Sequence, residues 1–185
     1  MAQGEATPAF FFDLGTPEAY LTAERILQVV PVAVEWVPVH LPAGADVDRA
    51  AVERVAAARG LQAVRWPDPF PFESAHAMRV ATYAKQIGRT VAFALAAFRQ
   101  AYAGGRSLEA ADNVLIAASA CEMHPAAIVK AAPSRLVGDA LARATAGAQA
   151  AGVRSTPAVL VPGAGVFHGD AALEDAAAAL AARVP

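Results

Sequence analysis

Cysteine is almost missing: Cys121 is the only one in 185 residues. No intrachain disulfide can form, and no pair of thiols can cycle between redox states. Cys121 falls in a helical stretch and reads as a small buried filler. Long apolar runs are missing too, since charge or proline interrupts each before the roughly 20 residues a membrane helix needs. The opening "MAQGEATPAFFFD" has no basic segment followed by an apolar stretch. No secretory signal is read there, and a cytoplasmic location is expected. There is no excess of positive charge, and the net charge of −2 argues against nucleic acid or acidic lipid as partners. The histidines His40, His76, His124 and His168 show no paired ligand spacing and no acidic cluster beside them, so no metal site is expected.

What is present is apolar and rich in alanine. With 56% apolar and 17% charged residues, the chain is a folded globular protein, long enough for one domain with a large insertion. Residues 10–13 read as a strand buried on both faces. Pro17 suits the first position of a helix that Thr16 can cap and Glu18 complements. Ala19, Ala23, Ile26, Leu27 and Val30 share one face of that helix until Pro31 ends it. Residues 32–38, "VAVEWVP", are rich in β-branched side chains and read as a second strand. Strand, helix and strand in that order imply a parallel pair.

The middle of the chain is helical. Helices are expected over 46–60, 74–87, 89–102, 108–121 and 125–131, with the extended connector "RWPDPFPFES" between the first two. Ser134 caps a longer helix reaching about Ala151. Two short strands, 158–161 and 165–168, then flank a proline–glycine turn as an antiparallel hairpin. A last helix over 170–183 turns Leu173, Ala177, Leu180 and Val184 inward.

Four stretches resemble the DsbA-like family, in the branch of 2-hydroxychromene-2-carboxylate isomerases and kappa-class glutathione transferases. "FFDLGTPEAYL" is similar to that family's first strand and its aspartate–x–x–serine–proline turn. The run from "FPFESAHAMRV" to "AAFRQAYAGGR" resembles its central helices, "AAGVRSTPAVLV" its cis-proline loop, and "GVFHGDAAL" its last strand and turn. The resemblance implies an α/β thioredoxin fold, ordered β-α-β, then α-β-β-α, with an all-helical insertion. Residues 1–44 and 136–185 would form the thioredoxin-like domain and 45–135 the insertion.

The same resemblance implies the site. Thr16 stands where the isomerase branch has a serine beside the sulfur of glutathione, so its hydroxyl would be catalytic by favouring a bound thiolate. As a helix N-cap it would do neither more nor less than close the helix, and the two roles are compatible. Thr156 and a cis Pro157 would face the thiol cofactor, glutathione or another low-molecular-weight thiol. Asp170, one place earlier than the family's aspartate and without its arginine, would meet the ligand's ammonium group, and Arg154 its carboxylate. Trp66, Phe70 and Phe72 would line a substrate cleft with His168 and with Glu73, which replaces the family's asparagine. A negative Glu73 close to a thiolate would raise that thiol's pKa. The resemblance also implies a small-molecule substrate and a homodimer. Three functions follow: a thiol-dependent isomerase or transferase, a non-catalytic binding protein of the same fold, or a thiol–disulfide oxidoreductase, which the missing cysteines oppose.

Overall fold

Every residue of the first strand, Ala9–Phe12 (β1), is buried, and a strand buried on both faces belongs inside a sheet. In the computed structural model, which describes residues 7–41, 46–169 and 171–182, it lies there. The sheet order is β2-β1-β3-β4, with β2 at Glu35–Pro38, β3 at Ala158–Val161 and β4 at Gly165–His168. β1 runs parallel to β2, with Phe10 opposite Trp36, and antiparallel to β3, with Phe10 opposite Val159. β3 and β4 form the hairpin, Ala158 opposite His168.

The alternation of β1 divides the core. Phe10 and Phe12 join Trp36 on one face, under α1 (Pro17–Ala23) and the middle helices. Ala9 and Phe11 join Val39, Leu41, Ala148 and Ala158 on the other face, which the C-terminal part of the eighth helix covers. The middle helices are α3 (Arg49–Ala58), α4 (Ala75–Gln86), α5 (Thr90–Phe98), α6 (Ala111–Ser119) and α7 (Pro125–Ala131). α8 (Arg135–Ala150) returns the chain to β3, and α9 (Ala172–Ala181) packs on β3 and β4.

Three details differ from expectation. The first helix stops at Ala23, and a separate turn, α2 (Ile26–Val29), follows. Glu24 and Arg25 part the two, because Glu24 is held by Arg99 at 2.6 and 2.8 Å while Arg25 is held by Glu174 at 2.6 Å. Leu27 is thereby turned outward and is 69% exposed. The helix over 89–102 does not stay α-helical: Arg99–Ala103 widens to a π turn, in which the Gly104 amide donates to the Arg99 carbonyl at 2.8 Å. A Cβ on Gly104 would lie 2.7 Å from the Gln100 carbonyl, so glycine is required there. On α9 it is Ala172, Leu173 and Ala176 that are buried; Ala177 is half-buried, and Val184 lies outside the described residues.

Candidate functional site

The ends of β1 and β2 and the start of β3 meet at one end of the sheet. The β1–α1 turn there is built by Asp13. Its carboxylate is 1% exposed and accepts from the Gly15 amide at 2.8 Å and the Leu41 amide at 3.2 Å, while its backbone carbonyl accepts from the Thr16 amide at 3.1 Å. The Ser74 side chain, just before α4, stands beside this carboxylate and favours its charged form. Burial outweighs these bonds and pushes the Asp13 carboxyl above its ordinary pKa.

Thr16 has the extended backbone of an N-cap, yet its side chain makes no capping bond. Its Oγ1 instead lies 2.8 Å from Oγ1 of Thr156, on the far wall, and the Thr156–Pro157 peptide is cis. The capping role expected of the Thr16 side chain is therefore not realised. The reason is competition, since the Thr156 hydroxyl offers a partner from the loop before β3. In such a pair one hydroxyl donates and the other accepts, and the acceptor's own proton remains to donate elsewhere. With only seven residues in α1, the hydroxyl pair is the more specific polar feature of the turn.

Aromatic rings support this turn from below. Tyr102, on the π turn, is fully buried and donates its phenol to the Leu14 carbonyl at 3.2 Å. Burial first, then the charges of Asp13 and Glu18, hold that phenol well above its ordinary pKa. Phe72, Phe70 and Trp66 each stand 6.4 Å from the Tyr102 ring, and Trp66 and Phe70 lie 4.8 Å apart. Arg49 of α3 covers the Trp66 and Phe70 rings at 5.1 and 5.0 Å, and Glu53 accepts from the Trp66 indole at 2.6 Å. The connector is thus clamped between α3 and Tyr102, and both Trp66 and Phe70 stay partly exposed.

The remaining residues separate. Glu73 is exposed, and its carboxylate accepts from the Ala75 amide at 2.9 Å and faces His40 Nε2 at 3.3 Å. The Ala75 bond is the main reason that its pKa is lowered. His168 uses Nε2 to accept from the Arg154 amide at 3.1 Å, and burial, with the Arg154 charge second, lowers its pKa. A nitrogen used as that acceptor holds the ring neutral and fixes the loop before Thr156. Arg154 itself is exposed, and Asp170 lies outside the described residues. Cys121 is buried, and burial pushes its thiol up. Among the described residues no cluster of side chains could hold a metal ion, and no helix is long and apolar enough to cross a membrane. A cleft of about 400 Å³ between α4 and α8, lined by His40, Arg79 and Leu141 among others, does not include Thr16.

Sequence reasoning missed Asp13, Tyr102, His40 and Arg49. Asp13 had a local signal, lying three residues before Thr16 in a turn. Tyr102 had none, since its bond to Leu14 spans 88 positions.

Residues 9–181 match the family described as a DSBA-like thioredoxin domain. No curated protein matches the chain by sequence. Among solved structures, one of 2-hydroxychromene-2-carboxylate isomerase is similar at TM-score 0.83 and 14% identity, over 96% of this chain and 95% of that one. A probable DsbA oxidoreductase from Streptomyces coelicolor is similar at 0.76 and 19% identity, over 97% and 92%. The cytosolic disulfide reductase DsbM from Pseudomonas aeruginosa, solved with GSH, is similar at 0.67 and 16% identity, over 96% and 98%. At such identities the likeness is one of fold, and it is the α/β thioredoxin fold expected from the sequence.

Proposed function

The chain belongs to the DSBA-like thioredoxin family, and from that premise we propose that it binds a low-molecular-weight thiol, glutathione or an equivalent, for isomerase or transferase chemistry. One observation carries this reading: the hydroxyl of Thr16, in the turn where a redox relative carries its thiols, meets the Thr156 hydroxyl at 2.8 Å. A hydroxyl pair cannot exchange disulfides, but its uncommitted proton can donate to a thiolate, and a donor held by a neighbouring hydroxyl is polarised by it. The neighbour solved with GSH supports this choice of ligand, and the isomerase neighbour the choice of chemistry. Cys121 supplies no alternative nucleophile, being the only cysteine and buried outside the site.

In this reading the ligand's sulfur adds to a conjugated carbonyl compound, forming a carbon–sulfur bond and placing the electron pair on the carbonyl oxygen as an enolate. Rotation follows about the bond that is now single. The enolate then expels the thiolate and restores the double bond, with no net oxidation or proton change. Thr16 and Thr156 hold the thiolate, and the partly exposed Trp66 and Phe70 rings, backed by the buried Phe72, offer an apolar wall to the substrate. A homodimer in the cytoplasm belongs to the same proposal.

The test is calorimetric titration with glutathione, other small thiols and S-methylglutathione, followed by turnover of a conjugated carbonyl substrate. Thr16→Ala is expected to weaken thiol-dependent turnover roughly 10- to 100-fold, the value of one charge-assisted hydrogen bond, and Thr16→Ser to preserve it. Equal affinity for S-methylglutathione, or unchanged turnover in Thr16→Ala, overturns the reading.

A further inference from the structure

We infer that Asp13 is a positioning residue: by holding the amides of Gly15, Thr16 and Leu41 at once, it aims the Thr16 hydroxyl at Thr156. The Gly15 amide donates to Oδ1 at 2.8 Å and the Leu41 amide to Oδ2 at 3.2 Å, so the carboxylate ties the turn to the segment following β2. The Thr16 amide donates to the carbonyl of the same residue at 3.1 Å. Two consecutive amides of the turn are therefore captured by one residue, and that sets the direction of the Thr16 Cα–Cβ bond. Ser74 closes the arrangement from the start of α4. A Cβ on Gly15 would lie 3.2 Å from the Ser74 Cβ and 3.3 Å from Asp13 Oδ1, so a larger residue there would push Ser74 or Asp13 aside by a few tenths of an ångström.

A carboxylate is the group this geometry asks for. It is acceptor-only, and its two oxygens each accept from an amide, both of them donors. An asparagine would turn its NH₂ toward one of those donors. Protonation has a related effect, since it converts one acceptor oxygen into a donor. The charged and titratable groups around Asp13 are His40 beyond β2, paired in turn with Glu73, and Tyr102 below, itself influenced by Glu18. Desolvation raises the Asp13 pKa, so the anchor weakens on acidification sooner than it would around an exposed aspartate.

The experiment is a pH titration by NMR of wild type, Asp13→Asn, His40→Gln and Ser74→Ala, with no ligand present. The Gly15 and Leu41 amide protons and the Thr16 and Thr156 methyl groups are expected to move with one midpoint above the ordinary aspartate value. That midpoint persists but moves upward in His40→Gln and in Ser74→Ala, each of which keeps the carboxylate and removes a group that favours its charge, and it vanishes in Asp13→Asn. Amides that titrate while both methyl groups stay still would reduce Asp13 to a turn former and overturn the inference, as would the absence of a shared midpoint. Should Asp13→Asn fail to fold, wild type, His40→Gln and Ser74→Ala decide the question by the same signals.

A second arm rests on the proposed thiol site. Asp13→Asn should bind glutathione about 10-fold more weakly, with a flattened pH profile, whereas Leu141→Ala, a destabilised control outside the turn, binds as wild type. Unchanged affinity in Asp13→Asn overturns the inference. A wild type that binds no thiol removes the proposed function instead, and the methyl signals still decide the role of Asp13.

Discussion

Helices begin in two ways in this protein, and the difference maps the site. At the outer helices the capping side chain serves its own helix: Asp48 accepts from Ala51 at 2.9 Å before α3, and Ser134 accepts from Val137 at 3.3 Å before α8. At the two helices that begin beside the end of β1, it does not. Thr16 precedes α1 without a capping bond and reaches Thr156, and Ser74 precedes α4 without one and stands beside the Asp13 carboxylate, favouring its charge. The same residue types stand in the same local position, so the departure comes from tertiary partners. Local rules that fail together, at two starts that meet at the end of β1, are a mark of a functional site.

The largest effect expected from this contrast is at an outer cap. Ser134→Ala removes an acceptor that α8 uses, and should cost about 1–2 kcal/mol in urea unfolding while leaving thiol affinity within twofold. Thr16→Ala, which removes no capping bond, should cost less than Ser134→Ala yet be the variant that loses thiol turnover. If Thr16→Ala proves the more destabilising of the two, its hydroxyl caps α1 in solution and the contrast collapses.

A smaller effect measures the diverted hydroxyl itself. Thr16→Val, Thr156→Val and the double variant form a cycle in which each single change strands the partner hydroxyl. The coupling should be about 0.5–1 kcal/mol by thermal or urea unfolding, and the double variant less destabilised than the sum. Additive losses would mean that the two hydroxyls do not share a bond.

This division also explains what could be read in advance. The strands at 158–161 and 165–168, the helix at 125–131 and the Ser134 cap are set by local pattern and turn residues, and they stand where the pattern put them. Thr16 was legible as a candidate, and Thr156–Pro157 as a cis peptide, through a family turn and loop quoted from the sequence. Their mutual contact was not, because it joins positions 140 apart. The break at Glu24–Arg25 was equally hidden: periodicity placed Leu27 inward, and two ion pairs reaching Arg99 and Glu174 turned it outward. Asp13 reads locally as the last residue of a strand and the first of a turn, and its bond to Leu41, 28 positions on, reveals it as an anchor.

The smallest expected effect lies at Glu73, where sequence comparison suggested a charge in the wrong place. The carboxylate accepts from the Ala75 amide, the first of α4, at 2.9 Å, and faces His40 at 3.3 Å. The lowered pKa of Glu73 means that its contribution is present above the unfolded-state value and is lost as pH falls through the folded one. Because the side chain is 67% exposed, water and salt screen it, and Glu73→Gln should cost only about 0.3 kcal/mol at neutral pH. Glutamine retains an oxygen for the Ala75 amide, which keeps the loss small. Thiol affinity should change by less than about twofold, since the charge is directed along the start of α4 and screened by solvent. A gain near tenfold in Glu73→Gln, measured by the same calorimetry, would show that the charge is felt at the Thr16–Thr156 pair. The substitution of glutamate for the family's asparagine would then be part of the site, and the boundary between outer and diverted helix starts would have to be redrawn to include it.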